Sequence, residues 1–298
     1  GTGNSIMRRL ILFGIPAFLA YRLSQRFLPP EDAINGSTVV ITGASSGIGA
    51  AVAQRVADLG AKNVFLLART QSALNTVADA INARKPGTAH VCPVDCSDWQ
   101  AVQRVAEEVS VIGGAPHFLI NCAGAGRWRF LTEMDGDEIR RCMDAPFMSA
   151  AFVTRAFLPL MLERNTGCIV NVQSPAGHGA WGGATAYIAG RWALRGLSEA
   201  LSADLWRTNI RVREVILGEV ASSYFDANPG SHERLPLIAQ YIPALTTREA
   251  ARSVTAAMQR GRGTDVTPWQ MTVLLHINSW CPTLFQHITN RMSLSYDP

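Results

Sequence analysis

Residues 38–59 constrain this chain more than any other stretch. Thr38-Val39-Val40-Ile41-Thr42 is a short β-branched run of the kind buried on both faces of a parallel sheet. Gly43-Ala44-Ser45-Ser46-Gly47-Ile48-Gly49 follows as a glycine-rich turn, and residues 50–59 open a helix. A strand, a glycine turn and a helix in succession bring backbone N–H groups and the positive end of a helix to one point, where an anion is stabilised. The glycine spacing alone would be weak evidence, and a structural turn without a ligand is the alternative reading.

The same alternation continues. Strands are predicted at 63–68, 88–94, 117–121, 168–173 and 210–216, with a short final one at 265–267. Helices are predicted at 71–83, 97–110, 135–164, 184–207 and 247–260, the third of them interrupted by Pro146 and Pro159. Strands and helices in this order imply an α/β fold, a Rossmann-type doubly wound parallel sheet with helices on both faces. Residues 219–246 hold Pro229, Pro236 and Pro243 and read as a loop covering a substrate. The α/β domain is expected over 36–269, flanked by an apolar helix and linker at 1–35 and an apolar helix at 270–298.

At 298 residues the chain suits one large domain with terminal additions. Its 48% hydrophobic and 17% charged content excludes disorder, and the mean hydropathy of +0.10 points to lipid contact or a buried partner surface. The net charge of +4 comes without a basic cluster, so no nucleic-acid partner is expected.

The uncharged run 10–21, bracketed by Arg8, Arg9, Arg22 and Arg26, would span about 18 Å as a helix, short of the ~30 Å bilayer core. It reads as an interfacial anchor, a signal fragment, or a helix packed on the domain or a partner. The tail, with Met271, Leu274, Leu275, Ile277, Trp280 and Phe285 among few charges, reads as a core or dimer helix, or as one lying on a membrane. The partners expected are therefore a membrane surface and a second copy in a homo-oligomer. The location expected is the cytoplasmic side of a membrane, or the cytoplasm. Six scattered cysteines with no C-x-x-C pair and no matching histidine spacing predict no metal site.

Ser174 precedes Tyr187 by thirteen residues, and Tyr187-Ile188-Ala189-Gly190-Arg191 opens an apolar helix. Four further signatures appear in order: T-G-x-x-x-G-x-G from Thr42 to Gly49, Asp95 after the third strand, Asn121-Cys122-Ala123-Gly124, and Gly218 with Ser222. With these, residues 36–269 resemble the classical short-chain dehydrogenase/reductase family, of the membrane-associated type. Leu217 and Ser222 replace the proline and threonine of the family's P-G-x-x-x-T segment, and Cys122 replaces an asparagine.

The resemblance implies a nicotinamide dinucleotide held by Gly43, Ser45, Ser46, Gly47, Ile48 and Gly49. It places Asp95 at the adenine, Asn121 and Gly124 on the nicotinamide side, and Tyr187, Arg191, Gly218 and Ser222 also against the cofactor. The second strand ends in Leu67-Ala68-Arg69-Thr70, with no carboxylate to repel a 2′-phosphate. Arg69 offers a fork suited to that phosphate, so NADP(H) is the expected cofactor; a solvated surface arginine is the alternative.

In the family, the tyrosine gives a proton to a carbonyl oxygen, the serine orients that carbonyl, and a lysine four residues after the tyrosine assists. Tyr187 and Ser174 match, but the third position is Arg191, and the chain's two lysines, Lys62 and Lys85, lie far away in sequence. The family's catalytic asparagine lies seven residues before a Val-Thr pair; counting back from Val153-Thr154 reaches Pro146. Asp144 is near, but two residues along a helix turn it roughly 200° away. Trp128, Trp181 and Trp192 read as packing residues, with Trp181 on the path a substrate would take.

Two functions follow. One is an NADP(H)-dependent oxidoreductase with an atypical site, reducing a ketone or oxidising a secondary alcohol on a lipophilic substrate of lipid metabolism. The other is a nucleotide-binding subunit of weak or no turnover, with a structural or regulatory role in a membrane or multi-subunit assembly.

Overall fold

The β-branched run Thr38–Thr42 forms strand β1, every residue of it buried. The computed structural model describes residues 34–296, so the helix expected at 10–21 and nearly all of segment 1–35 lie outside the described residues. Around β1 stand β2 (Asn63–Ala68), β3 (Ala89–Pro93), β4 (Phe118–Asn121), β5 (Gly167–Gln173) and β6 (Ile210–Leu217). Two short strands, β7 (Val220–Ala221) and β8 (Leu245–Thr246), pair apart from the main sheet, and β9 (Gly263–Thr267) closes its edge. The seven-stranded sheet has the order β3-β2-β1-β4-β5-β6-β9 with every pair parallel.

Helices α1 (Gly47–Asp58), α2 (Gln71–Asn82), α3 (Trp99–Gly113), α4 (Gly136–Met143), α5 (Ser149–Arg164), α6 (Thr185–Asp204), α7 (Tyr224–Ala227) and α8 (Thr247–Met258) fill the connections. Side chains alternate across a strand, so a central parallel strand needs apolar residues at successive positions. Val39 and Ile41 enter the layer built with α1, α2 and α8, while Val40 enters the opposite layer with α3, α5 and α6.

The helix expected to break at two prolines runs on as one 29-residue unit, Gly136–Arg164. Pro159 sits inside α5, and Pro146 is taken up in a π turn, Asp144–Met148. A proline lacks the N–H that an α-helical turn would use, and a wider turn re-routes the neighbouring bonds. This helix is long and apolar enough to cross a bilayer, yet it buries Val153, Phe157 and Met161 in the layer with α3 and α6.

Gly190 of α6 presses on the π turn: a Cβ there would come 2.1 Å from the Cys142 carbonyl oxygen and 3.1 Å from Pro146 Cγ. Gly190→Ala is therefore expected to destabilise the protein by about 1–3 kcal/mol through overpacking, seen as a lower urea midpoint at an unchanged slope.

The tail differs from the single helix predicted. It forms α9 (Trp269–Trp280) and α10 (Pro282–Arg291), divided at Cys281 because Pro282 starts a new helix better than it continues one.

Candidate active site

The strand order reverses between β1 and β4, and the carboxyl ends of the strands open there into a cleft of about 760 Å³. One end is the loop after β1. Gly43 and Gly47 adopt positive φ (65° and 52°), which a side chain would oppose. A Cβ on Gly49 would lie 2.2 Å from the Gly43 carbonyl oxygen, and one on Gly43 2.9 Å from Ala123 Cα. Ser46 stands at the N-cap of α1 but makes no side-chain cap bond, and the first turn holds no acidic residue. The backbone N–H groups of that helix end thus face the cleft without a side-chain acceptor, as a pyrophosphate site needs.

Thr42 Oγ1 accepts from the N–H groups of Cys122 and Ala123, both at 3.0 Å, and so fixes residues 122–124 beside the loop. Arg69 and Asp95 line the cleft beyond the loop. Burial alone would raise the Asp95 carboxyl, but hydrogen bonds from the Ser97 hydroxyl (2.7 Å) and amide (2.9 Å), with the nearby Arg69 charge, hold it below the usual range.

At the other end, Ser174 follows β5 and Tyr187 lies in the first turn of α6, 4% exposed. Ser174 Oγ accepts from Ala176 N (3.2 Å). Arg191, one turn after Tyr187 and 8% exposed, holds its guanidinium carbon 5.3 Å from the centre of the Tyr187 ring. Its Nη1 donates to the Val172 carbonyl (3.0 Å), and its Nη2 lies where a Cβ on Gly124 would approach to 2.4 Å. Gly124 therefore makes room for Arg191.

Most of the residues singled out from sequence meet in this one cleft: Gly43, Ser45, Ser46, Gly47, Ile48 and Gly49 at the loop, Arg69 and Asp95, Gly124, Ser174, Tyr187, Arg191, Gly218 and Ser222. Asn121 is the exception. Its side-chain amide donates to Thr154 Oγ1 (3.1 Å) and Asn171 Oδ1 (2.8 Å), so it braces β4 against β5 behind the cleft instead of lining it.

The expectation for Asp144 is corrected. It lines the cleft with Ala145 and Ser149, whereas Pro146 is buried and packs toward Gly190. The angle of 200° assumed regular α-helical spacing, and the π turn changes it.

Two residues of the site, Gln173 and Tyr224, carried no signal in sequence. Gln173 accepts from Ser174 N (3.0 Å) and donates to the Arg191 carbonyl (2.9 Å), joining the two functional segments. Trp128 and Trp181 pack together on the wall of the cleft: the Trp128 ring lies 5.2 Å from Tyr187 and 5.3 Å from Trp181, while Trp192 is 48% exposed elsewhere. Tyr224 donates to the Gly126 carbonyl (2.9 Å) and accepts from Trp128 Nε1 (3.2 Å).

The segment expected to be a loop holds α7 and the paired strands β7 and β8, and it contributes Leu235, Ile238 and Ile242 to the wall of the cleft. The tail contributes Met271, Leu274 and Phe285, so one side of it caps the cleft; alternating apolar residues could not show which body they would meet.

Comparison with known proteins agrees with this geometry. The profile of the family described as short chain dehydrogenase matches residues 37–231. An uncharacterised oxidoreductase of Mycobacterium bovis is 37% identical over 233 residues, 76% of this chain and 65% of the relative. The chain thus spans just under two thirds of that relative's length. The 3-ketodihydrosphingosine reductase of Mus musculus is 32% identical over 212 residues, 69% of this chain and 64% of the mouse protein. Among solved structures, a metagenomic short-chain oxidoreductase in complex with NADP superposes with a TM-score of 0.59 at 33% identity, over 63% of this chain and 85% of that one.

Proposed function

Because the chain belongs to the short-chain dehydrogenase family, we propose that it is an NADP(H)-dependent oxidoreductase that reduces a ketone on a lipophilic substrate. The observation that carries this reading is a single cleft joining the phosphate loop and Arg69 to Ser174, Tyr187 and Arg191. The uncapped end of α1 suits a pyrophosphate, and Arg69 suits a 2′-phosphate. The NADP of the metagenomic relative supports that choice.

When bound, the reduced nicotinamide supplies the hydride. Tyr187 gives its phenolic proton to the carbonyl oxygen, and Ser174, on the wall beside it, donates a hydrogen bond to the same oxygen. Arg191, 5.3 Å from the ring centre, stabilises the phenolate that remains. Trp128 and Trp181 shield the reacting atoms from water.

The apolar outer wall supports a long hydrocarbon chain as the rest of the substrate, and the keto lipid named for the mouse relative is of that class. A peripheral place on a membrane belongs to the same reading: Trp269 and Trp280 stand 70% and 84% exposed on the tail helix whose Met271 and Leu274 line the cleft. Pro146, where the family has an asparagine, favours a second reading, a cofactor-binding protein without turnover.

NADPH oxidation against a panel of long-chain and short polar ketones, run beside an NADPH titration, separates the two. Oxidation with the long-chain ketones is expected; tight NADPH binding with no oxidation by any ketone would establish the second reading. Arg69→Ala is expected to weaken NADPH binding about 10- to 100-fold, the loss of a charge-assisted bond, and to leave NADH binding unchanged. Equal weakening of both cofactors in a fluorescence titration would remove Arg69 from the 2′-phosphate.

A further inference from the structure

We propose that Tyr224 is a positioning residue for proton transfer at Tyr187: its hydroxyl turns from the Gly126 carbonyl to donate to the phenolate that the transfer leaves on Tyr187. The proposal rests on the carbonyl-reduction reading above.

Tyr224 opens α7 in the covering segment, and its ring centre lies 6.3 Å from that of Tyr187, with the planes at 57°. A phenolic O–H has one hydrogen and two lone pairs. The hydrogen goes to the Gly126 carbonyl (2.9 Å), and one lone pair accepts from Trp128 Nε1 (3.2 Å). The Tyr224 hydroxyl can thus donate to Tyr187, whose ring stands beside it, by giving up the Gly126 carbonyl as its acceptor.

Burial first, and Tyr187 next, push the Tyr224 phenol far above its ordinary range, while Arg191 and the Trp128 N–H act against the shift. Tyr224 consequently remains an O–H whenever Tyr187 gives up its proton. Once Tyr187 carries a negative charge it is a stronger acceptor than the Gly126 carbonyl, since charge-assisted bonds are about twice as strong as neutral ones. Rotation about the C–O bond is enough to re-aim the hydrogen, and Trp128 keeps the oxygen in place meanwhile. Arg191 acts on the phenol from beneath its ring, with Nη1 held by the Val172 carbonyl.

Tyr224→Phe tests the proposal by removing one oxygen. The kcat for ketone reduction is expected to fall about 10- to 100-fold with KM within about threefold, and the pH profile of alcohol oxidation to move about one unit upward because the phenolate loses a donor. Trp128→Phe, which keeps the Tyr224 hydroxyl but frees its oxygen, should act in the same direction more weakly. An unchanged kcat and pH profile, or a change in KM alone, would overturn the proposal.

A second measurement needs no turnover. The chain has five tyrosines, so ¹³Cζ-tyrosine resonances can be assigned by single phenylalanine variants. The Tyr187 resonance should shift in Tyr224→Phe and stay in place in Tyr241→Phe, whose ring is 73% exposed. A Tyr187 resonance unmoved by Tyr224→Phe sinks the phenol pair even if the wild type is active. A wild type that reduces no ketone sinks the carbonyl-reduction reading instead, and the resonance still decides whether the two phenols are paired.

Discussion

Tyr187→Phe is expected to lower kcat for ketone reduction about 1,000-fold while NADPH binds as tightly as before. The magnitude is that of losing a positioned general acid. The fold should survive, because the ring keeps its place 5.2 Å from Trp128 and over the Arg191 guanidinium at 5.3 Å; only the hydroxyl is removed. Steady-state rates read beside a fluorescence titration of NADPH separate chemistry from binding. Turnover within a few-fold of wild type would mean that another group protonates the carbonyl.

The second large effect is expected at the phosphate loop. Gly49→Ala should weaken NADPH binding at least about 100-fold, equivalent to ~3 kcal/mol, and lower the urea midpoint. Its Cβ would meet the Gly43 carbonyl oxygen at 2.2 Å, the Gly43 carbonyl carbon at 2.8 Å and Ala44 Cα at 3.1 Å. All three are backbone atoms, so no side chain can swing aside, and the loop must open and carry its N–H groups away. Gly136→Ala is the control: Gly136 has nothing within 4 Å of the added carbon and begins α4 at an ordinary φ, so stability should hold or rise by up to about 1 kcal/mol. If Gly49→Ala binds NADPH as the wild type does, the loop is not the pyrophosphate site.

The main sheet was legible because its strands are buried on both faces. Thr38–Thr42 and Asn63–Ala68 needed continuous apolar or β-branched residues, and that pattern also marks their ends to the residue. Gly43, Gly47 and Gly49 were legible for a related reason: conformation and close backbone approach admit no other residue there. Asp144 was not legible, since its direction depends on a π turn that no periodicity announces. The direction of the Asn121 amide was not legible either: its motif fixes its position at the end of β4, and Thr154 and Asn171 decide from other elements which way the amide turns.

The amino-acid sequence by itself determined the α/β class, the phosphate loop, and the spacing that makes Ser174, Tyr187 and Arg191 a candidate site. Each depends on local periodicity or on a residue type at a short interval. Only the tertiary structure decided what surrounds Tyr187. Trp128, Tyr224 and Phe285 come from three distant segments and line the same cleft because the sheet, the covering segment and the tail converge there. Arg191 likewise becomes a fixed cation under the phenol only through the Val172 carbonyl of a neighbouring strand. Contacts between distant segments depend on how faces pack, and apolar pattern says that a face is buried without saying against what.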